Sequence, residues 1–161
     1  MSDDAVRAGI GRALSRLPSG LFVLTAGRGD SATGMLASFA QQVGFEPPTV
    51  IVALKKGRPI EALVRSEGAF CLAVIDERSK GLMSHFARGF EPSQPAFIGL
   101  DIGHSVHGVP FPKTALGHLE CRVRGIQDDW TDHVILCGEV LAGDARSEPP
   151  MVHVRKNGFS Y

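Results

Sequence analysis

The sequence has no excess of charge of either sign, since 17 Lys and Arg residues balance 17 Asp and Glu residues. Proteins that bind nucleic acid or a membrane surface usually carry a marked basic excess, so this balance argues against both kinds of partner. No apolar run approaches the roughly 20 residues that a membrane-spanning helix needs. The N-terminal stretch MSDDAVRAGIGRAL is polar and has no signal-peptide core, which predicts a cytoplasmic protein.

Cysteine is also scarce, which argues against a disulfide-stabilised scaffold. Cys71, Cys121 and Cys137 are odd in number and lie in apolar runs, a pattern typical of reduced thiols in a core. A chain of 161 residues can bury roughly 70% of its unfolded surface without a disulfide or a metal. We therefore predict a single domain over residues 1–161.

Motifs for metal or acyl-transfer chemistry are weak or missing. His104 and His107 have the spacing of two metal ligands, but no third ligand is clustered with them. We therefore predict no metal site. The Gly-x-Ser-x-Gly elbow of serine hydrolases does not occur in the sequence.

What the sequence does contain is a strand, loop and strand pattern over residues 34–55. Small residues on an extended pattern at 34–40 would allow a flat molecule to approach the backbone. The two prolines within residues 45–48 fix φ and supply no N–H, so we expect a rigid loop that no strand crosses. Residues 49–54 are apolar and β-branched, the composition of a buried strand.

A basic turn and the start of a helix follow this strand. Lys55, Lys56 and Arg58 come just before Pro59, and proline is favoured at the first position of a helix. A helix N-terminus beside three cations can bind a phosphate, although the same pattern also describes a solvated basic turn. Small residues near a phosphate site would suit a nucleotide-like cofactor that lies along a strand.

The rest of the pattern predicts a mainly β domain with peripheral helices. Helices are expected at the N-terminus, after Pro59 and over residues 77–88. Residues 118–124 alternate between polar and apolar, which predicts a half-exposed antiparallel strand with Glu120 on its exposed face. The Gly- and Pro-rich segment 97–112 is expected to carry one short strand. Six or seven strands that helices do not regularly separate favour an antiparallel barrel over a parallel doubly wound sheet.

Seven short motifs follow one another along the chain. They are LPSG at 17–20, GMLASF at 34–39, FEPP at 45–48, AF at 69–70, FA at 86–87, DH at 132–133 and GEV at 138–140. In this order they resemble the flavin reductase-like, FMN-binding split-barrel family over residues 14–141. No single motif is specific, but the ordered set is. The resemblance implies an antiparallel split β-barrel that dimerises and holds a flavin near the subunit interface.

The resemblance also implies which residues bind the cofactor, FMN or alternatively FAD. They fall into three groups: Met35, Leu36, Ala37 and Ser38 at the ring edge; Leu54, Lys55, Lys56, Arg58 and Pro59 at the phosphate; Phe86 and Ala87 closing the site. His133 would lie near the nicotinamide of the co-substrate NAD(P)H, and residues 155–161 would cover it. Without the resemblance, a histidine at this position is more often a surface residue at the start of a strand.

Typical members of the family reduce flavin with NADH or NADPH, hydride passing to flavin N5, and many supply reduced flavin to a partner oxygenase. We therefore predict a homodimeric NAD(P)H:flavin oxidoreductase with a partner monooxygenase. Two alternatives stay open: an FMN-binding electron carrier or sensor without NAD(P)H activity, and a flavin-free split barrel that binds another ligand such as haem. Gly44, where many members carry a serine, and a short C-terminal tail favour the carrier slightly.

Overall fold

The computed structural model describes residues 3–156 and contains three α-helices in that range. They are α1 at Asp3–Leu14, α2 at Pro59–Glu67 and α3 at Gly81–Ala87. Pro59 begins α2, as its missing N–H predicts. Gly68 ends α2 with a φ of 65°, a conformation that glycine adopts without strain. The first two helices lie where the sequence predicts them.

Eleven strands are present in the described part of the chain, and seven of them form one antiparallel sheet. They are β1 Ser19–Gly20, β2 Phe22–Ala26, β3 Thr33–Ala37, β4 Ala40–Phe45, β5 Pro48–Lys55, β6 Ala69–Val74, β7 Ile102–His104, β8 Pro110–Pro112, β9 Gly117–Gln127, β10 His133–Ala145 and β11 Val152–His153. The large sheet has the order β3-β2-β6-β9-β10-β5-β4, whereas β1 pairs with β11 and β7 with β8. The predicted mainly β, antiparallel architecture is therefore confirmed.

The sequence predicts two strands over residues 34–55, whereas the structure has three, β3, β4 and β5, of which β4 and β5 form a tight hairpin. β4 ends at Phe45 and β5 begins at Pro48, and these two residues lie opposite each other in the hairpin. The chain therefore reverses within residues 45–48, as the two prolines predict. Gly44 lies at a register shift of the hairpin, where an added Cβ would come within 3.1 Å of the Thr49 Cβ. A side chain at position 44 would therefore need Thr49 to shift by a few tenths of an ångström.

The third helix begins four residues later than predicted, because Asp76 forms a turn with Ser79. The Asp76 carboxylate accepts hydrogen bonds from the Ser79 N–H at 2.9 Å and from the Ser79 hydroxyl at 2.5 Å. Side-chain bonds of this kind compete with helix formation. Arg146 donates to the other carboxylate oxygen of Asp76 at 2.6 Å, which ties the end of β6 to the residue after β10.

Segment 97–112 contains two short strands, β7 and β8, where the sequence predicts one. Side-chain hydrogen bonds attach their hairpin to the sheet: the Thr25 hydroxyl donates to the Pro110 carbonyl at 2.6 Å, and Glu120 accepts from the Val106 N–H at 2.7 Å. Glu120 is only 8% exposed. The prediction that Glu120 lies on an exposed face is wrong, because a segment distant in sequence covers that face of β9.

The main core joins the sheet to α2, whereas α1 contributes little to it. Its buried members include Leu24, Val52, Leu54, Ile60, Val64, Phe70 and Leu136. On α1 the apolar side chains Val6, Ile10 and Leu14 are between 41% and 48% exposed. Within residues 3–156, no helix has both the length and the apolar character to cross a membrane.

Candidate functional site

The end of β3 and the C-terminal segment meet at Ser38. β11 pairs with β1, and this pairing carries the chain back over the sheet to Arg155. The Arg155 guanidinium donates a hydrogen bond to the Ser38 hydroxyl, and its Cζ lies 3.8 Å from the centroid of the Phe39 ring. Of the cover predicted over residues 155–161, positions 157–161 lie outside the described residues.

His133 lies beside the same aromatic ring. It begins β10, whose register places it opposite Lys55 at the end of β5. The His133 and Phe39 rings pack edge to face with their centroids 5.7 Å apart. His133 Nδ1 lies 2.8 Å from Asp132 Oδ1. That hydrogen bond lowers the pKa of the Asp132 carboxyl, so the group stays ionised beside the imidazole. We call Ser38, Phe39, His133 and Arg155 the Ser38 cluster.

A second group of predicted residues surrounds a cavity of about 30 Å³ at the start of α2, which we call the Arg58 cavity. Met35 of β3, Arg58, Pro59 and Phe90 all line it. The positive end of the α2 dipole adds to the charge of the Arg58 guanidinium, so the cavity favours an anion.

Lys55 and Lys56 lie nearer the Ser38 cluster than the sequence predicts. Both are exposed at the end of β5, where the Lys56 N–H donates to the Asp132 carbonyl at 3.1 Å. The cations of the predicted basic turn are therefore separated: Arg58 lines the Arg58 cavity, whereas Lys55 and Lys56 lie towards the Ser38 cluster.

A wider cleft of about 840 Å³ opens from the Arg58 cavity towards the end of α3. The two spaces share Arg58, Pro59, Gly89 and Phe90. His85, Arg88 and Gln94 are among the other residues that line the wide cleft. Sequence reasoning missed Arg88 and Phe90, which lie one and three residues after the FA motif at 86–87.

Several predicted site residues are packed inside the protein. Three of them are buried in the core: Ala37, Leu54 and Phe86. The Phe86 ring packs so closely against Gly34 that a Cβ added there would lie 2.7 Å from it. Leu36 packs against the core cluster that contains Phe86, and Ala87 is exposed at the end of α3. The buried side chains position the wall of the site through packing.

β3 connects the two groups of residues. Met35 borders the Arg58 cavity, and Ser38 directly follows the last residue of β3, three residues further along the chain. A hydroxyl and a guanidinium stand at one end of this wall, and a cationic cavity stands at the other. The site therefore suits a flat, extended ligand with an anionic tail. Among the residues that the structure describes, no group of three His, Cys, Asp or Glu side chains is placed to hold a metal.

Comparison with known proteins shows the family of this chain. A family model described as a flavin reductase like domain matches residues 14–160. The chain belongs to the flavin reductase-like domain family. Diflavin flavoprotein A 1 of Synechocystis sp. strain PCC 6803 is 34% identical over 153 residues, which make up 93% of this chain and 26% of that protein. The chain thus spans about a quarter of the length of the curated relatives it matches.

Solved structures share the fold of this flavin reductase-like domain. NADH:FAD oxidoreductase SgcE6 of Streptomyces globisporus is similar with a TM-score of 0.84 and 24% identity, covering 99% of this chain and 96% of that one. The styrene monooxygenase flavin reductase SMOB of Pseudomonas putida S12 has a TM-score of 0.74 and 24% identity, and the match covers 88% of this chain and 90% of that one. At these identities the similarity shows a common fold.

Proposed function

We propose that the protein is an NAD(P)H:flavin oxidoreductase. The observation that carries the proposal is the wall of β3, which joins the hydroxyl and guanidinium of Ser38 and Arg155 to the cationic cavity at Arg58. When bound, a flavin supplies the redox chemistry by accepting a hydride from reduced nicotinamide. The protein's part is to hold the two rings in reacting geometry and to exclude water.

Each group of residues has a distinct part in this proposal. Ser38 and Arg155 orient the flavin ring and place positive charge near its polar edge, where negative charge develops on reduction. Arg58 and the positive end of α2, which begins at Pro59, bind the phosphate next to the ribityl chain. His133, held by Asp132, lies on the side where the nicotinamide stacks. FMN and FAD share the ring and the first phosphate, so these contacts suit both flavins.

Binding of riboflavin and FMN tests the phosphate assignment directly, because riboflavin lacks the phosphate. We expect Arg58→Ala together with Lys55→Ala to weaken FMN binding much more than riboflavin binding, measured by quenching of flavin fluorescence. The single variants separate the two residues: Arg58→Ala alone should account for most of the loss, because Lys55 lies opposite His133. Equal weakening of both ligands would contradict the assignment.

Steady-state oxidation of NADH and NADPH with added flavin tests the activity. Because SMOB is named as the reductase of a styrene monooxygenase, we propose a partner monooxygenase as acceptor of the reduced flavin. The second candidate function is an electron carrier within a longer flavoprotein, since the chain spans about a quarter of relatives that are named diflavin flavoproteins. A protein that binds flavin but oxidises neither nicotinamide would support the carrier and contradict the reductase.

We further propose that the sheet curls into a split barrel. An apolar cavity of about 340 Å³ is lined from β2, β4, β6, β9 and β10, by Phe22, Ala40, Leu72, Leu119 and Val140. β2 and β4 lie near opposite edges of the sheet order. Strands so far apart can line one space only if the sheet bends strongly towards itself.

We propose a homodimer through the apolar surfaces that the single chain leaves exposed. Val6, Ile10 and Leu14 repeat on one face of α1, and Phe45 at the tip of the β4–β5 hairpin is 88% exposed. Burial of such side chains between two copies would remove apolar area from water. Light scattering should give twice the mass of the chain. The Ile10→Glu substitution should lower the measured mass towards that of a monomer. A monomeric unsubstituted protein would contradict the dimer.

A further inference from the structure

The loop that leads into His133 lies beyond the paired part of β9. The ladder between β9 and β10 ends where Gln127 lies opposite Ile135, and residues 128–132 form the loop that connects the two strands. His133 begins β10 directly after this loop and pairs with Lys55 of β5. On the β9 side, the position of the loop therefore depends on contacts other than ladder hydrogen bonds.

Arg65, in the last turn of α2, makes such a contact with the start of the loop. Its Nη2 donates to Asp128 Oδ2 at 2.6 Å, while Nε and Nη2 donate to Glu61 Oε1 at 3.0 Å and 2.9 Å. The planar guanidinium thus binds α2 and the loop at the same time. Because Glu61 already restricts the guanidinium, Arg65 loses less conformational freedom in binding Asp128 than an unrestrained side chain would.

A second hydrogen bond holds the other end of the loop. The Lys56 N–H donates to the Asp132 carbonyl at 3.1 Å. The Gly57 N–H in the same turn donates to Glu61 Oε2 at 3.0 Å, so the carboxylate that binds Arg65 also binds the basic turn. The first and last residues of the loop are therefore tied to two segments that share Glu61 as a partner.

The end of the loop sets the orientation of the His133 ring. Asp132 Oδ1 lies 2.8 Å from His133 Nδ1, and the His133 N–H donates to Thr131 Oγ1 at 2.9 Å. An ionised carboxylate can only accept a hydrogen bond, so Nδ1 carries the proton that Asp132 binds. A shift of the loop would therefore move the imidazole through its backbone and through its ring.

We infer that Arg65 is a positioning residue for His133 and acts through the loop at 128–132. The inference rests on the proposed function, in which His133 lies on the side where the nicotinamide stacks. Arg65 belongs neither to the Ser38 cluster nor to the residues that line the Arg58 cavity. Its replacement should therefore lower the rate of flavin reduction, which depends on the geometry of the two rings, and not the affinity for flavin.

Single-turnover reduction of bound FMN by NADH or NADPH, followed by stopped-flow absorbance under anaerobic conditions, tests the inference. We expect Arg65→Ala to lower the reduction rate about threefold and to leave the dissociation constant of FMN within about twofold. Arg65→Lys should recover part of the rate, because lysine keeps a donor for Asp128 without the planar fork. Asp128→Asn should cause a similar loss, and combining it with Arg65→Ala should add little.

A double-mutant cycle with His133→Ala shows whether the effect of Arg65 passes through His133. Adding Arg65→Ala to the His133→Ala variant should change the reduction rate by less than about 1.5-fold. Arg28→Ala is the matched control, because Arg28 is an exposed arginine that pairs with α2 at Glu67, with Nε 3.3 Å from the carboxylate. It should change neither the rate nor the affinity for FMN. Thermal melting checks that every variant folds.

The outcomes separate the inference from the function on which it rests. An unchanged reduction rate in Arg65→Ala would overturn the inference and leave the proposed function standing. Equal losses from Arg65→Ala with and without His133 would also overturn it, because the effect would not pass through the imidazole. If the unsubstituted protein binds FMN but neither nicotinamide reduces it, the proposed reductase function is wrong and the inference fails with it.

Discussion

The Arg155 guanidinium lies over the Phe39 ring, with Cζ 3.8 Å from the ring centroid, while it donates a hydrogen bond to Ser38. The two contacts join a residue near the end of the chain to the motif at 34–39. The same Phe39 ring also contacts His133, so the Phe39 ring connects Arg155 to His133 within the Ser38 cluster. The pairing of β1 with β11 places Arg155 where its guanidinium reaches the Ser38 hydroxyl.

Replacing Arg155 should weaken the binding of riboflavin and FMN by the same factor. We expect about a fivefold loss for Arg155→Ala, since a cation and its stacking contact are removed at the ring end of the site. Arg155→Lys should give a smaller loss, because it keeps the charge without the planar fork. Fluorescence titration with both ligands measures the effect. A loss confined to FMN would place Arg155 at the phosphate instead.

Replacing His133 should slow the oxidation of NAD(P)H while flavin still binds. We expect His133→Ala to lower the rate of flavin reduction about tenfold through poorer orientation of the nicotinamide. The dissociation constant for flavin should change by less than about twofold. Stopped-flow absorbance under anaerobic conditions separates the two quantities. Unchanged reduction together with weaker flavin binding would place His133 at the flavin rather than at the co-substrate.

Asp76 should contribute stability that depends on pH. Burial opposes its ionisation, but hydrogen bonds from Ser79 and the Arg146 guanidinium outweigh this effect and lower the pKa of the Asp76 carboxyl. A lowered pKa in the folded state means that the contribution is present above the unfolded pKa of about 3.9 and is lost as the pH falls through the folded pKa.

The Asp76→Asn variant tests this dependence. Urea unfolding should show a loss of about 2 kcal/mol at pH 7, because the hydrogen bonds from Ser79 and Arg146 lose their charged acceptor. The difference from the unsubstituted protein should shrink below about pH 4, where the carboxyl begins to be protonated in the unfolded chain. Asp3→Asn, in the first turn of α1, is the control and should change the free energy of unfolding little at either pH. A difference of the same size at pH 7 and pH 3 would show that ionisation of Asp76 is not responsible.

The three cysteines should differ in reactivity in the folded protein. Burial raises the pKa of the Cys71 and Cys121 thiols to about 12, whereas Cys137 is partly exposed. Because the thiolate is the reactive form, we expect a disulfide reagent at pH 8 to modify one thiol per chain in buffer and three in urea. Cys137→Ser should reduce the native count to zero. Rapid modification of three thiols in buffer would contradict the burial of Cys71 and Cys121.

Gly34→Ala should destabilise the fold rather than act on the ligand. A Cβ at this position would lie 2.7 Å from the Phe86 ring, which is buried and cannot move freely. We expect a loss of about 1–3 kcal/mol in the free energy of unfolding, the usual effect of overpacking. The double variant Gly34→Ala with Phe86→Leu should recover part of that loss. Weaker flavin binding at unchanged stability would show that Gly34 contacts the ligand instead.

The sequence by itself determined the family, the mainly β class and the start of α2. These features depend on local information: the order of short motifs, the apolar run before Lys55 and the fixed φ of Pro59. The turn at residues 45–48 was predictable for the same reason, since two successive prolines restrict the backbone wherever they occur. The resemblance also predicted Met35, Ser38, Arg58 and His133 as site residues before any contact was known, and that assignment stays a prediction.

Only the tertiary structure decided which side chains meet. Glu120 is buried because the β7–β8 hairpin covers it, and Arg155 reaches Ser38 because β11 pairs with β1. Arg88 joins Arg58 in one cleft because the ends of α2 and α3 converge. These contacts join residues 14 to 117 positions apart. Periodicity describes one segment at a time, so it cannot determine the packing of one segment against another.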